Sequence, residues 1–196
     1  MTDNIINELP EIFQSNICTL KRASLDDANK QYMCDSSLKV IHFDKLPNEY
    51  ARGRGWSGVP SSNDALYIDV SGKWYFIEFK NGGIQKHDLF RKLYDSLILL
   101  WDQKLIPDLD FARENINYIL VYNGEKFGRT QDSPAREATY NYLEQLAKQE
   151  KRLFEIDKFE KYLFNETHTY TKELFKERFI DLKESEETSY EKSSIN

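Results

Sequence analysis

Cysteine and histidine, the usual ligands of structural zinc, are scarce in this sequence. The two cysteines, Cys18 and Cys34, have no Cys or His neighbour at zinc-site spacing, and His42, His87 and His168 are scattered along the chain. No pair of them has the i, i+4 spacing with which two ligands bind a metal from one helix. The sequence therefore excludes a zinc-binding domain, and we expect a reduced, cytoplasmic protein.

Long apolar runs and an excess of positive charge are also missing. No stretch of 18 apolar residues is present, so we expect no membrane-spanning helix, and the segment MTDNIINELPEIF has no secretory-signal pattern. The formal net charge is -6, so any nucleic acid would be bound through a local patch rather than by the field of the whole protein. Residues 51–104 are one such region, with eight Lys and Arg against six Asp and Glu.

The hydrophobic pattern predicts an α/β protein with a central mixed β-sheet flanked by helices. A hairpin over 64–70 and 73–80, turning at Ser71-Gly72, precedes a long buried helix at 84–105 and an apolar strand at 115–123. The other predicted elements are helices at 5–13, 24–34 and 133–152, strands at 38–46 and 162–170, a loop at 48–63 and a last helix capped by Thr171.

The predicted domain spans residues 1–183, with a core at about 38–122. Residues 184–196 lack a hydrophobic pattern. We therefore expect a disordered tail there.

Three charged side chains meet at one end of the predicted hairpin. Strand alternation places Glu78 and Lys80 on one face, and a turn at Ser71-Gly72 places Asp64 opposite residue 79, beside both of them. The acid-x-Lys tripeptide by itself discriminates little, because it also occurs at 102–104 and 181–183.

Two carboxylates brought within about 4–6 Å raise each other's pKa unless a cation neutralises them. Mg²⁺ is a natural candidate, because it binds one or two carboxylates and keeps several waters. The alternative is an exposed cross-strand salt bridge without a chemical role.

This pattern resembles the PD-(D/E)xK nuclease superfamily, which has the restriction-endonuclease-like fold. The matching residues are Asp64 and Glu78-Phe79-Lys80, and Asn63 stands where many members have proline. The resemblance implies that Asp64, Glu78 and the Phe79 carbonyl bind Mg²⁺, with Mn²⁺ as a possible substitute, and that Lys80 is the catalytic lysine.

The implied function is a metal-dependent nuclease that hydrolyses phosphodiester bonds, in DNA rather than RNA, and that can form a homodimer. The alternative is a catalytically inactive protein of the same fold that acts in interaction, immunity or regulation. Several branches also have a further acidic ligand near the first helix, and Glu8, Glu11 and Glu49 are candidates for it.

Further basic residues flank this cluster and are candidates for phosphate contacts. Arg52 and Arg54 lie in a Gly-rich segment that also contains Trp56, and Lys86, Arg91 and Lys92 lie near the start of the long helix. Arginine suits phosphate and tryptophan can stack on a base, although the same residues can equally be solvated surface charges. Asp69, five residues after Asp64, is expected on the opposite face as a surface carboxylate near the turn.

Overall fold

The computed structural model describes residues 1–127, residue 150 and residues 153–194. In this part of the chain, six strands form one mixed sheet with the order β1-β4-β5-β6-β7-β8, and two short strands, β2 and β3, form a separate hairpin. The strands are β1 (Ile17–Thr19), β2 (Leu25–Asp26), β3 (Gln31–Tyr32), β4 (Lys39–His42), β5 (Ala65–Ile68), β6 (Trp74–Lys80), β7 (Ile116–Tyr122) and β8 (Thr167–Thr171).

Helices flank the sheet. In the chain they occur both before and after the β5–β6 hairpin. They are α1 (Asp3–Glu8), α2 (Glu11–Gln14), α3 (Leu20–Ala23), α4 (Leu46–Arg54), α5 (Lys86–Asp102), α6 (Leu109–Asn115), α7 (Gly124–Phe127), α8 (Lys172–Phe175) and α9 (Asp181–Ser194). A π-helical segment joins α8 to α9, and 3₁₀ turns cover Phe43–Lys45 and Ile156–Phe159. No helix in the described residues is long and apolar enough to cross a membrane.

The sheet changes from antiparallel to parallel at β6. Strands β1, β4, β5 and β6 pair antiparallel, whereas β6, β7 and β8 pair parallel. A parallel neighbour requires a crossover connection, and α5 lies in the connection from β6 to β7. Every residue of β7 is buried, as expected for a strand covered on both faces. The predicted α/β class with a central mixed sheet is therefore confirmed.

The hairpin forms where it was predicted, with a register shifted by one residue. Ala65 pairs with Ile77 and Ile68 with Trp74, which brings Asp64, just before β5, opposite Glu78 rather than residue 79. Gly72 adopts a positive φ of 84° in the turn, a conformation that glycine accepts without steric cost.

Two predicted elements are wrong because local side-chain chemistry decides otherwise. The predicted helix at 24–34 is instead the β2–β3 hairpin. In this hairpin, the Asp26 carboxylate accepts hydrogen bonds of 3.1 Å from the amides of Ala28 and Asn29 and so favours a turn over a helix.

The first part of the predicted loop at 48–63 belongs to α4, whereas residues 55–63 form no helix or strand, as predicted. This helix has a proline in its first turn and ends at Gly55, which has a φ of 68°, a common pair of helix boundaries. Its buried residues include Leu46, Tyr50 and Ala51.

Two other differences lie in the C-terminal part of the chain. Strand β8 begins at Thr167, five residues later than predicted, and ends at Thr171, whose hydroxyl caps α8 by accepting a 3.2 Å bond from the Leu174 amide. Helix α9 runs through most of the segment 184–196 for which disorder was expected. The predicted helix at 133–152 lies almost wholly outside the described residues.

Candidate functional site

The three charged residues predicted to converge do meet at one end of the hairpin. The Lys80 ammonium lies 2.7 Å from Glu78 Oε1, as the two-residue spacing on β6 predicts. Asp64 lies across the hairpin, and its Oδ2 accepts a 2.6 Å hydrogen bond from the Phe79 amide. That bond holds the Asp64 carboxylate against β6.

A second lysine, Lys92 on α5, joins the two carboxylates. Its Nζ lies 3.2 Å from Asp64 Oδ1 and 2.7 and 3.0 Å from the two oxygens of Glu78. Because one ammonium contacts both acids, the carboxylates lie within about 6 Å of each other, a distance at which charges strongly perturb pKa values.

Burial shifts the pKa values of the residues in this cluster. The Glu78 side chain has no solvent exposure, and burial together with the nearby Asp64 charge raises the pKa of Glu78 to about 7, although Lys92 and Lys80 oppose the shift. Burial acts to lower the pKa of Lys92, but the charges of Glu78 and Asp64 outweigh it and raise that pKa. Lys92 is therefore a permanent cation in the pH range where Glu78 titrates.

Asp64 and Lys80 of this cluster line a cleft of about 410 Å³, whereas Glu78 and Lys92 do not. The lining also includes Phe79, at the end of β6. The other lining residues come from α3, the β2–β3 hairpin and the segment from the end of β4 to the start of α4. These residues include Arg22, Asp26, Asp27, His42, Asp44, Lys45 and Asn48.

The predicted nucleic-acid-binding residues do not line this cleft. Arg54 forms an ion pair with Asp102 and stacks over the ring of Trp56. Lys86 forms an ion pair with Glu155.

Arg91 and Arg52, which were also predicted to contact phosphate, lie outside the cleft as well. Arg91 donates a 2.8 Å hydrogen bond to Ser61 Oγ. Arg52 is an exposed residue of α4. The basic residues that do line the cleft are Arg22, Lys45 and Lys80.

The acids considered as a further ligand are also elsewhere. Glu8 and Glu11 are exposed residues near the N-terminus, and Glu49 accepts a 3.2 Å hydrogen bond from Asn16. Asp44 is the acid that comes near the cluster, since it lines the cleft and its amide lies 3.4 Å from the Asp64 carbonyl oxygen. No local sequence signal distinguishes Asp44, because its position follows from the pairing of β4 with β5.

Asp64 and Glu78 have the donor chemistry that Mg²⁺ prefers. Among the described residues, no group of three or more His, Cys, Asp or Glu side chains is arranged to hold a metal, so the protein would contribute two carboxylates here. That number is typical of Mg²⁺, which retains several waters. The Lys92 ammonium lies between both acids and balances part of their charge. Asp64 and Glu78 are therefore the two residues that would hold a hard divalent cation here.

Comparisons with known proteins leave this site to be interpreted on its geometry. No protein-family model, no curated protein and no solved structure matches the chain.

Proposed function

We propose that this protein is a Mg²⁺-dependent nuclease that hydrolyses phosphodiester bonds, in DNA rather than RNA, and that it has a restriction-endonuclease-like core. One observation carries the proposal: Asp64, Glu78 and Lys80 converge next to a cleft that Asp64 and Lys80 line, and the Lys92 ammonium bridges the two acids.

The arrangement of the sheet supports the same proposal. An antiparallel hairpin is followed by a helix and then by a parallel strand next to the second hairpin strand. This is the order of elements that the PD-(D/E)xK resemblance implies, and the acidic and basic residues stand at the same end of the hairpin as in that pattern.

The residues of the cluster have distinct roles in the proposal. Asp64 and Glu78 would hold the ion, with the carbonyl of Phe79 as a further candidate ligand. When bound, Mg²⁺ neutralises charge on the scissile phosphate and lowers the pKa of a bound water. Lys80 is a quarter exposed, so its ammonium can turn from Glu78 towards a phosphate in the cleft and stabilise the charge that develops there.

Lys92 has a separate role as the counter-ion of the metal-free protein. It keeps the two acids together when no divalent cation is present. If a divalent cation took the place of this ammonium, the ion and Lys80 would face the two carboxylates with one positive charge in excess, rather than the two in excess that would result if both lysines stayed.

A cleavage assay with matched variants tests the proposal. Plasmid and single-stranded DNA are incubated with Mg²⁺ or Mn²⁺ and with wild type, Asp64→Asn, Lys80→Met or Lys104→Ala. Lys104 is exposed and lies outside the cleft. We expect cleavage by wild type and Lys104→Ala, and a loss of about 10²-fold or more in the other two, the size expected when one charge-stabilising group is removed.

The second candidate function is a non-enzymatic interaction or regulatory protein of the same fold. The observation that favours it is the balanced cluster itself, because two lysines already neutralise two carboxylates without a metal. Equal background cleavage by all four proteins, together with no heat of Mn²⁺ binding in calorimetry, would support this candidate and refute the nuclease.

A further inference from the structure

Two basic residues, Arg22 and Lys45, line the cleft together with the acidic residues Asp26, Asp27, Asp44 and Asp64. Arg22 is on α3 and Lys45 ends the 3₁₀ turn before α4; both are exposed and both line the cleft. Neither forms an ion pair with any described residue. By contrast, neighbouring Lys21 pairs with Asp35 at 2.8 Å, and Lys80 and Lys92 pair with Glu78.

Arg22 and Lys45 both lie near the same residue of the cleft, His42. His42, at the end of β4, lies in the cleft wall, and its Nδ1 is buried without a hydrogen-bond partner among the described residues. Burial lowers the pKa of His42, and the charges of Lys45 and Arg22 lower it further, while Asp44 and Asp64 oppose them. Arg22 and Lys45 are therefore both close enough to this imidazole to influence it.

Two of the acidic residues that line the cleft, Asp26 and Asp27, interact with other residues of the protein. Asp26 accepts a 2.8 Å hydrogen bond from Asn81, which ties the β2–β3 hairpin to the end of β6. Asp27 lies 3.9 Å from Lys30. The positive charges of Arg22 and Lys45 thus remain available to an anion that enters the cleft.

We infer that Arg22 and Lys45 bind phosphates of the DNA backbone next to the one that is cleaved; the inference rests on the proposed nuclease function. A guanidinium binds phosphate with two parallel hydrogen bonds and an ammonium binds it as a point charge. Because Arg22, Lys45 and Lys80 all line the cleft, a DNA strand in the cleft meets positive charge beside the reactive cluster. The phosphate contacts are thus assigned to the cleft lining.

Binding measured without cleavage tests this assignment. A fluorescein-labelled single-stranded DNA oligonucleotide and its duplex are titrated in EDTA, with fluorescence anisotropy as the readout, over a series of salt concentrations. The variants are Arg22→Ala, Arg22→Lys and Lys45→Ala. The controls are Arg178→Ala and Lys104→Ala, which remove exposed charges outside the cleft, and thermal melting checks that each variant is folded.

We expect each alanine variant of the cleft to bind single-stranded DNA about 3- to 10-fold more weakly. The slope of log K against log salt should fall in magnitude by about 0.7 for each phosphate contact removed from a single strand. Arg22→Lys should retain most of the slope because it retains the charge, and both controls should match wild type.

The outcomes separate this inference from the proposed function. If wild type cleaves DNA while Arg22→Ala and Lys45→Ala bind with unchanged affinity and slope, the inference is wrong and the nuclease stands. Equal losses in the control variants would also overturn it. If wild type binds DNA through both residues but does not cleave, the inference stands and the nuclease falls. If wild type neither binds nor cleaves, both fall.

Discussion

Two buried carboxylates, Asp69 and Glu78, lie at opposite ends of the same β5–β6 hairpin and respond to burial in opposite ways. Asp69 is 1% exposed and Glu78 is fully buried, and each has a lysine 2.7 Å away. The pKa of Asp69 is lowered, whereas that of Glu78 is raised to about 7. Burial alone therefore does not decide how either group titrates.

Lys183, together with donors built into the turn, accounts for the lowered pKa of Asp69. Its Oδ1 accepts bonds from the Ser71 amide and hydroxyl at 2.9 and 2.6 Å and from the Lys73 amide at 2.9 Å, and Oδ2 contacts Lys183. Burial acts to raise the pKa of Asp69, but these donors outweigh it. The expectation of a surface carboxylate was wrong, because Lys183 of α9 and Tyr75 cover the turn.

The charge of Glu78 is balanced by lysine side chains, which can move. Its partners among the described residues are the ammonium groups of Lys80 and Lys92, and it shares Lys92 with Asp64. A carboxylate held by backbone amides is committed to one structural role. A carboxylate held by lysine side chains, next to a second acid, can exchange those partners for a proton or a metal ion.

The largest expected effect comes from Lys92→Ala. Removing the shared ammonium leaves a buried acid pair with one lysine, which we expect to lower the free energy of unfolding by about 3 kcal/mol or more. Urea denaturation measures it, with Lys86→Ala as the control on the same helix, since its pair with Glu155 is exposed and screened by solvent. Mn²⁺ should stabilise Lys92→Ala more than wild type. Equal stability of Lys92→Ala and Lys86→Ala would contradict the bridging role.

Lys183→Ala is expected to have a smaller effect at the other end of the hairpin. Asp69 keeps its bonds to Ser71 and the Lys73 amide, so the loss should be about 1.5–3 kcal/mol, the range of one hydrogen bond to a charged group. The same urea experiment measures it. Mn²⁺ should not rescue this variant, and a rescue as large as that of Lys92→Ala would show that the metal effect is not specific to the Asp64–Glu78 pair.

The pH dependence of stability should carry the signature of Glu78. Its pKa rises from an ordinary 4.5 to about 7 on folding, so between these values the folded state binds more protons than the unfolded state. Stability contributed by this group is therefore lost as the pH rises from about 4.5 to 7. Unfolding experiments across this window should give a less negative slope for Glu78→Gln than for wild type, and identical slopes would argue against the raised pKa.

Asp69 should have the smallest effect on the stability of the protein. Its contribution changes with pH in the opposite direction to that of Glu78, and at a more acidic pH. Its pKa is lowered on folding from an ordinary 3.8, so its stabilisation is present above that value and is lost as the pH falls through the folded pKa. Asp69→Asn should therefore lose less stability than wild type on acidification below pH 4. If Asp69→Asn lost as much stability as wild type below pH 4, the turn donors would not act on the charge of Asp69.

Much of the cluster could be predicted because it depends on short-range pattern. Strand alternation places Glu78 beside Lys80, and the turn at Gly72 brings Asp64 to the same end of the hairpin within one residue of the predicted register. Thr171 was likewise predicted as a helix cap, and its hydroxyl makes that bond.

The rest could not be predicted, because it depends on how distant segments pack. Lys92 was expected only as a phosphate contact, and its position between the acids follows from the packing of α5 against the sheet. Arg22 and Lys45 reach the cleft because β1, β4 and β5 are neighbours in the sheet.

The amino-acid sequence by itself determined the periodicity of the strands, the turn and therefore the pairing of Asp64 with Glu78 and Lys80. These are effects of neighbours a few residues apart, governed by backbone geometry. Only the tertiary structure decided which cation lies between the two acids and which basic residues face the cleft, because those contacts join residues far apart in the chain and depend on the order of strands in the sheet.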